Sequence, residues 1–270
     1  MSPEWRVVAA SVKGPSHAST SRPNQDRELA RRIGRDGTWV YAVADGAGSR
    51  SRADRGALLA VEAAAAAAER VFGARTPGEP EDWQGAVRIF AAESLALFDR
   101  AVAAEITALR QVSAESPQEL WSSFATTLLA VVAAPPYFGY FTVGDCFLVV
   151  DREPGGPHLV VAAPDREHAG ETVFLTSAQR ESHVGRGVIV DSRIRGIALC
   201  SDGLCEGMLD VVQHADGRLQ QRAPGEFSAY FDHFASPAVD DAELTRKLLS
   251  KEFAATSGDD KTIVMAVRTT

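Results

Sequence analysis

Hydrophobic positions along the chain fall into two rhythms. Short apolar runs of strand length occur at Trp5–Val12, Thr38–Ala44, Ala125–Val132, Tyr137–Val143, Phe147–Val150, Leu159–Ala162, Gly196–Cys200 and Thr262–Val267. They are rich in valine and aromatic residues and stop at glycine, proline or aspartate, which predicts strands. Between the second and third runs lie two long helical patterns. Ala53–Phe72 contains the hexa-alanine stretch Ala63–Ala68, and alanine is the best helix former. Asp82–Arg110 carries Val87, Phe90, Leu95, Phe98, Val102 and Ile106 near helical spacing. Gly73–Pro80 breaks the two apart, while Pro135-Pro136 and Glu153–Pro157 read as hairpin connections. Pro164–Arg195 is less regular. Leu204–Leu209 opens a short helix, and Pro237–Phe253 contains a longer one.

The order is strands, two long helices, many strands, helices and a closing strand. It lacks the regular β-α-β alternation of a doubly wound sheet. The expected class is α+β, a sandwich of two antiparallel β-sheets flanked by helices on both outer faces. No composition shift marks a boundary, so residues 1–270 are expected to form a single domain.

Composition narrows the chemistry. A net charge of -8 argues against a nucleic-acid surface. Ala57–Ala68 is interrupted by Glu62 and is too short to span a bilayer. Met1–Lys13 lacks a basic region followed by a long apolar stretch, so no signal peptide is expected. A cytoplasmic setting without nucleic-acid or membrane partners is anticipated. The oligomeric state is open, with a monomer favoured. The 3 cysteines are Cys146, Cys200 and Cys205, with no Cys-x-x-Cys pair, which excludes a zinc site of that kind and a disulfide framework. Cys146 and Cys200 lie in apolar runs and read as small buried hydrophobes.

Aspartates at the ends of the apolar runs carry the candidate chemistry. They are Asp26 in Asn24-Gln25-Asp26, Asp45 in Asp45-Gly46, Asp145 in Gly144-Asp145, Asp202 in Asp202-Gly203 and Asp259 in Gly258-Asp259-Asp260. Any one Asp-Gly pair marks a turn. Several carboxylates converging would repel, and the cures are raised pKa values or a bound cation. Ligands made only of oxygen suit Mg²⁺ or Mn²⁺.

These segments resemble the metal-dependent phosphatases of the protein phosphatase 2C family over nearly the whole chain. The matching motifs are Asn24-Gln25-Asp26, Val43–Gly48, Ala125-Thr126-Thr127-Leu128, Val143-Gly144-Asp145, Leu199–Leu204 and Asp259-Asp260-Lys261-Thr262, in that order. Ser16-His17 and Gly170–Thr176 look like a bacterial branch. The resemblance implies a Mg²⁺- or Mn²⁺-dependent serine/threonine phosphatase acting on phosphorylated proteins through a metal-bound hydroxide. It implies that Asp45 bridges two ions, that the Gly46 carbonyl binds one, and that Asp202 and Asp259 hold the other. Asp26 would act near the ions through bound water. Asp145 with Asp202 resembles a pair that can hold a third, weaker ion.

This chain departs from the family in two places. An arginine that grips phosphate commonly precedes the first-motif aspartate by five residues. Ser21 stands there, with Arg22 one place nearer. Arg22 is the candidate for that role, and Arg50, Arg52 and Arg55 are surface charges that could also face phosphate. Some relatives place a histidine after the Asp-Gly pair. Here it is Ala47, and His17 is either a substitute or a loop-packing residue. The alternative reading is an inactive phosphoprotein-binding domain on the same fold, which would be free to lose the carboxylates.

Overall fold

The computed structural model describes residues 4–20, 22–34, 37–163, 172–213 and 219–269. In chain order these form β1 (Trp5–Val12), α1 (Pro15–Ser19), β2 (Arg27–Ile33), β3 (Thr38–Ala44), α2 (Ala53–Phe72), α3 (Pro80–Leu109), α4 (Pro117–Ser123), β4 (Leu128–Ala134), β5 (Tyr137–Val143), β6 (Phe147–Arg152) and β7 (Gly156–Val161). The remainder adds β8 (Gly185–Val190), β9 (Ile194–Cys200), α5 (Cys205–Met208), β10 (Asp210–Gln213), β11 (Leu219–Arg222), α6 (Glu226–Ala235), α7 (Ala242–Leu248), α8 (Lys251–Ala254) and β12 (Lys261–Arg268). The architecture is α+β, with two antiparallel sheets flanked by helices. No described helix is long and apolar enough to cross a membrane.

The chain divides into two compact units. The first holds Met1–Asn24, Asp145–Glu171 and Arg193–Thr270, and the second holds Gln25–Gly144 and Thr172–Ser192. The sheet of the second unit runs β2-β3-β4-β5-β8, each neighbour antiparallel. α2 packs on β2, β3 and β4, and α3 packs on β5 and β8. The alanine run explains the close fit of α2: Ala57, Ala60, Ala64, Ala67 and Ala68 are all fully buried. Behind them an aromatic series joins Phe72 to Trp83 and Phe90, and Phe90 to Phe141.

In the first unit the sheet runs β1-β12-β9-β6-β7. Its core gathers Val8, Phe147, Ala198 and Met265 with Phe227, Phe231 and Phe234 of α6, Leu244 and Leu248 of α7 and Phe253 of α8. β10 and β11 form a separate two-stranded ribbon.

Several elements differ from the expectation. β2 is a strand of charged sequence, RELARRI, in which only Leu29 and Ile33 are buried. Its one-sided burial left no apolar run to read. β8, GRGVIV, lies at a sheet edge within the stretch that looked irregular. α4 carries a complete Ser116–Glu119 capping box, a readable start signal. α6 places Phe227, Phe231 and Phe234 at helical spacing. The helix expected within Pro237–Phe253 is two short ones, because the Ser250 hydroxyl caps α8 by accepting from the Phe253 N–H at 3.3 Å. β4 begins at Leu128, three residues late, since Ala125–Thr127 bond to the Asp45 loop instead.

Phe90 is fully buried and contacts both Phe72 and Phe141 edge-on. Phe90→Ala is expected to cost about 3–5 kcal/mol, the usual price of a large aromatic lost from a core. Equilibrium urea unfolding of the variant and the parent measures it.

Candidate metal centre

In the second unit, antiparallel pairing sends two acidic residues to the same end of the sheet. The last pair of β2 and β3 is Arg27↔Ala44. Asp26 therefore enters β2 where Asp45 leaves β3. Asp26 is 1% exposed and Asp45 is half-buried. The backbone at Asp45 is clamped from β4's leading residues. Its N–H donates to the Thr127 hydroxyl at 3.0 Å, and its carbonyl accepts from the Thr127 N–H at 2.8 Å and the Thr126 hydroxyl at 2.9 Å. Ala47 N–H donates to the Ala125 carbonyl at 3.0 Å. Glycine is required at 46: a Cβ there would lie 2.7 Å from the Gln25 carbonyl oxygen and 2.8 Å from that of Ala53. The Ala125-Thr126-Thr127 motif is thus a holder for the Asp45 loop, a role its sequence did not disclose.

The first unit repeats the device. Phe147 of β6 and Ile263 of β12 both pair with Cys200 of β9. Asp145 before β6, Asp202 after β9 and Asp259 before β12 consequently share one sheet end. Ser201 fastens β9 to β12, donating its N–H to the Thr262 carbonyl and accepting the Thr262 N–H on its hydroxyl, both at 3.0 Å. The Thr262 hydroxyl meets Ser11 at 2.7 Å, and Asn24 Nδ2 donates to the same Ser11 hydroxyl at 2.8 Å. Asn24 of the first motif therefore orders this strand end through Ser11.

Asp259 and Asp260 do different work. Asp260 is 2% exposed; its carboxylate accepts the Gly14 N–H at 2.7 Å and meets His17 Nδ1 at 2.9 Å. His17 is itself buried. It is a packing residue on α1, committed to Asp260. Lys261, also buried, donates from Nζ to the carbonyls of Ser257 at 2.7 Å and Asp259 at 3.1 Å. Asp259 keeps part of its surface in solvent. Partial burial of its carboxyl and the adjacent charge of Asp202 hold its pKa above the ordinary carboxylate value, against an opposing bond from the Asp260 N–H.

The arginines sort by partner. Arg22 is exposed, and its N–H donates to the His17 carbonyl at 3.1 Å; Ser21 lies outside the described residues. Arg52 is tied to Glu115 at 2.7 Å and to the Ser123 hydroxyl at 3.1 Å, and Arg55 to Glu105 at 2.5 Å. Both are committed to surface ion pairs. Arg27 donates to the Asp26 carbonyl at 2.6 Å and lies 4.0 Å from Asp54. Sequence reasoning passed over it because it follows the motif. The cysteines are buried and in no disulfide. Burial, with Cys205 nearby, pushes the Cys200 thiol well up, away from nucleophilic use.

The donor set fits a hard divalent cation. Every sequence-expected ligand presents oxygen, and Asp202 has a buried carboxylate oxygen, Oδ1, with no hydrogen-bond partner among the described residues. An ionised carboxylate left in that condition is costly. A cation beside Asp202 and Asp259 relieves both that cost and their mutual repulsion.

A model of the protein phosphatase 2C family matches residues 13–251. The chain belongs to the protein phosphatase 2C family. It is similar to serine/threonine-protein phosphatase 3 of Escherichia coli (strain K12), at 29% identity over 97% of this chain and 98% of that protein. Among solved structures, it resembles the catalytic domain of the serine/threonine phosphatase PstP in complex with 2 manganese ions, with a TM-score of 0.58 and 18% identity over 98% of this chain and 99% of that one. The S. agalactiae serine/threonine phosphatase gives a TM-score of 0.61 at 15% identity, over 98% of this chain and 100% of that one. At these identities the structures establish a shared fold.

The raised Asp259 carboxyl sets a pH trend for the metal-free protein. Its folded pKa lies above the unfolded value, so the associated stability is present below the ordinary carboxylate range. It is lost as pH rises through the raised value. Asp259→Asn is expected to melt higher than the parent in EDTA at pH 7, with the gap narrowing towards pH 3. Thermal scans across that range measure it; a gap that widens on acidification would contradict the assignment.

Proposed function

We propose that this protein is an active serine/threonine phosphatase that depends on Mg²⁺ or Mn²⁺ and hydrolyses phosphoserine and phosphothreonine in protein substrates. One observation carries the reading. The family's acidic positions are all present at strand ends, and among them Asp202 offers a buried oxygen with no hydrogen-bond partner among the described residues. An inactive phosphoprotein-binding module would be free to lose those carboxylates.

Asp45, the Gly46 carbonyl, Asp202 and Asp259 would hold two ions, with Asp26 acting through water and Asp145 joining Asp202 for a third. Divalent cations, when bound, supply Lewis acidity, acidifying water towards neutral pH and neutralising phosphoryl charge. The chain's own residues supply fixed carboxylate positions. Thr126 and Thr127 lock the Asp45 backbone, and the Asp260 bonds to Gly14 and His17 lock the turn that carries Asp259. Arg22 is assigned to grip the phosphate, where a guanidinium can make two parallel hydrogen bonds. In the reaction, the phosphorus–oxygen bond to the serine or threonine oxygen breaks and a bond from water oxygen forms. The products are the free alcohol and phosphate. No cysteine becomes covalently bound.

Turnover of p-nitrophenyl phosphate and phosphothreonine peptides should require added Mn²⁺ or Mg²⁺, vanish in EDTA and return with excess Mn²⁺. Asp45→Asn and Asp202→Asn should each lower it at least about a hundredfold. Undiminished turnover after thorough metal removal would sink the reading.

Asp259→Ala should raise the Mn²⁺ concentration needed for half-activation severely. Asp260→Asn should be tolerated with a modest loss, because an amide oxygen still accepts the Gly14 N–H. Metal titrations of both variants decide between them. A shifted requirement in Asp260→Asn alone would place the ligand register one residue later.

A further inference from the structure

Within the second unit, Thr172–Thr176 completes the holder of the Asp45 loop. It is the described part of the Gly170–Thr176 motif, whose role is not evident from sequence; Gly170 and Glu171 lie outside the described residues. Gly46 and Thr126 form an antiparallel bridge, in which Thr127 N–H donates to the Asp45 carbonyl and Ala47 N–H to that of Ala125. In that pattern the N–H and carbonyl of Thr126 itself point away from Gly46. Along β4 this far side belongs to β5, but their pairing ends at Leu128↔Val143, and Gly144, at φ 105°, turns the chain. Leu175 takes the vacated place. Its N–H donates to the Thr126 carbonyl at 2.8 Å. Thr126 and Leu175 are both fully buried, and a buried carbonyl left unpaired is costly.

One guanidinium fixes Leu175. Arg180 grips Asp99 of α3 with two parallel bonds, Nη1 to Oδ1 at 2.7 Å and Nη2 to Oδ2 at 2.5 Å, and Nη1 also donates to the Leu175 carbonyl. The Arg180 side chain is only 12% exposed. Trp121 adds a second tie, donating from Nε1 to the Thr176 carbonyl at 2.9 Å. The bonds run without a gap from Asp99 through Arg180, the Leu175 peptide and Thr126 to the backbone of Asp45 and Gly46.

We infer that Arg180 is a positioning residue for the Asp45–Gly46 loop. Its clamp on Asp99 and Leu175 sets where the Asp45 carboxylate and the Gly46 carbonyl stand, and so how tightly they hold a divalent cation. The cation clause rests on the proposed metal dependence; the positioning clause does not.

The test uses Arg180→Lys and Asp99→Asn, with Phe90→Ala for comparison. Lysine keeps the charge but lacks the planar fork that spans both carboxylate oxygens and the Leu175 carbonyl. Asparagine keeps the shape and loses the charge. Phe90→Ala strips core packing from the same unit and takes no part in that series of bonds, so it should destabilise the fold more than either. Amide hydrogen exchange is followed by NMR in EDTA. The Leu175 and Thr127 amides should lose protection relative to Val131, in the middle of β4, in the two clamp variants and keep it in Phe90→Ala. Calorimetry, at a temperature where every variant is folded, should show the Mn²⁺ Kd of the clamp variants rising about threefold to tenfold, towards the effect of losing a residue that supports a ligand. Phe90→Ala should stay within about twofold of the parent, as expected of a distant site. A parental Mn²⁺ Kd in both clamp variants would overturn the cation clause, and so would an equal rise in Phe90→Ala. Unchanged relative protection at Leu175 and Thr127 would overturn the positioning. A parent that binds no Mn²⁺ would count against the phosphatase reading, and the positioning would then stand or fall on the exchange ratios.

Discussion

Antiparallel register is the constraint on which the candidate site depends. In an antiparallel sheet, the residue before one strand and the residue after its neighbour emerge at the same end of the sheet. In the second unit this places Asp26 beside Asp45, through the Arg27↔Ala44 pair. In the first it gathers Asp145, Asp202 and Asp259 around Cys200 and its partners. A slip of one residue would turn those side chains to the other face. Burial on both sheets prevents it: Ala44, Cys200 and Ile263 are all fully buried. The apolar core is thus what fixes the acidic residues against their own repulsion.

That repulsion has a visible trace in the raised pKa of Asp259 and the orphaned oxygen of Asp202. A fully buried acid elsewhere in the first unit is treated differently. Asp151 receives the Arg195 guanidinium at 2.7 Å and the Ser228 hydroxyl at 3.0 Å. Arg195 neutralises that structural carboxylate, while among the described residues no cation pairs with Asp202. A carboxylate oxygen left without a partner among the described residues is the arrangement expected of a group awaiting an external ion.

The fold class and the strand-end acids were legible because both follow from local pattern. Thr38–Ala44 and Tyr137–Val143 have the bounds their apolar runs announced, as does α2. What escaped was decided by partners distant in sequence. β2 is held by pairing with β3 rather than by an apolar run, and β8 by pairing with β5. The roles of Thr126 and Thr127 exist only because the backbone of Asp45, 81 and 82 positions upstream of them, lies beside them. The His17–Asp260 pair joins residues 243 apart, beyond any motif.

The central claim is that these carboxylates bind divalent cations. Crystals grown with Mn²⁺ and measured on the manganese absorption edge test it most directly, because anomalous scattering locates the ions without reference to activity. The account requires anomalous peaks at these residues, one within coordination distance of Asp202 and Asp259 and one within coordination distance of Asp45. A crystal saturated in Mn²⁺ with no peak at these residues, or with manganese bound only elsewhere on the surface, would contradict it.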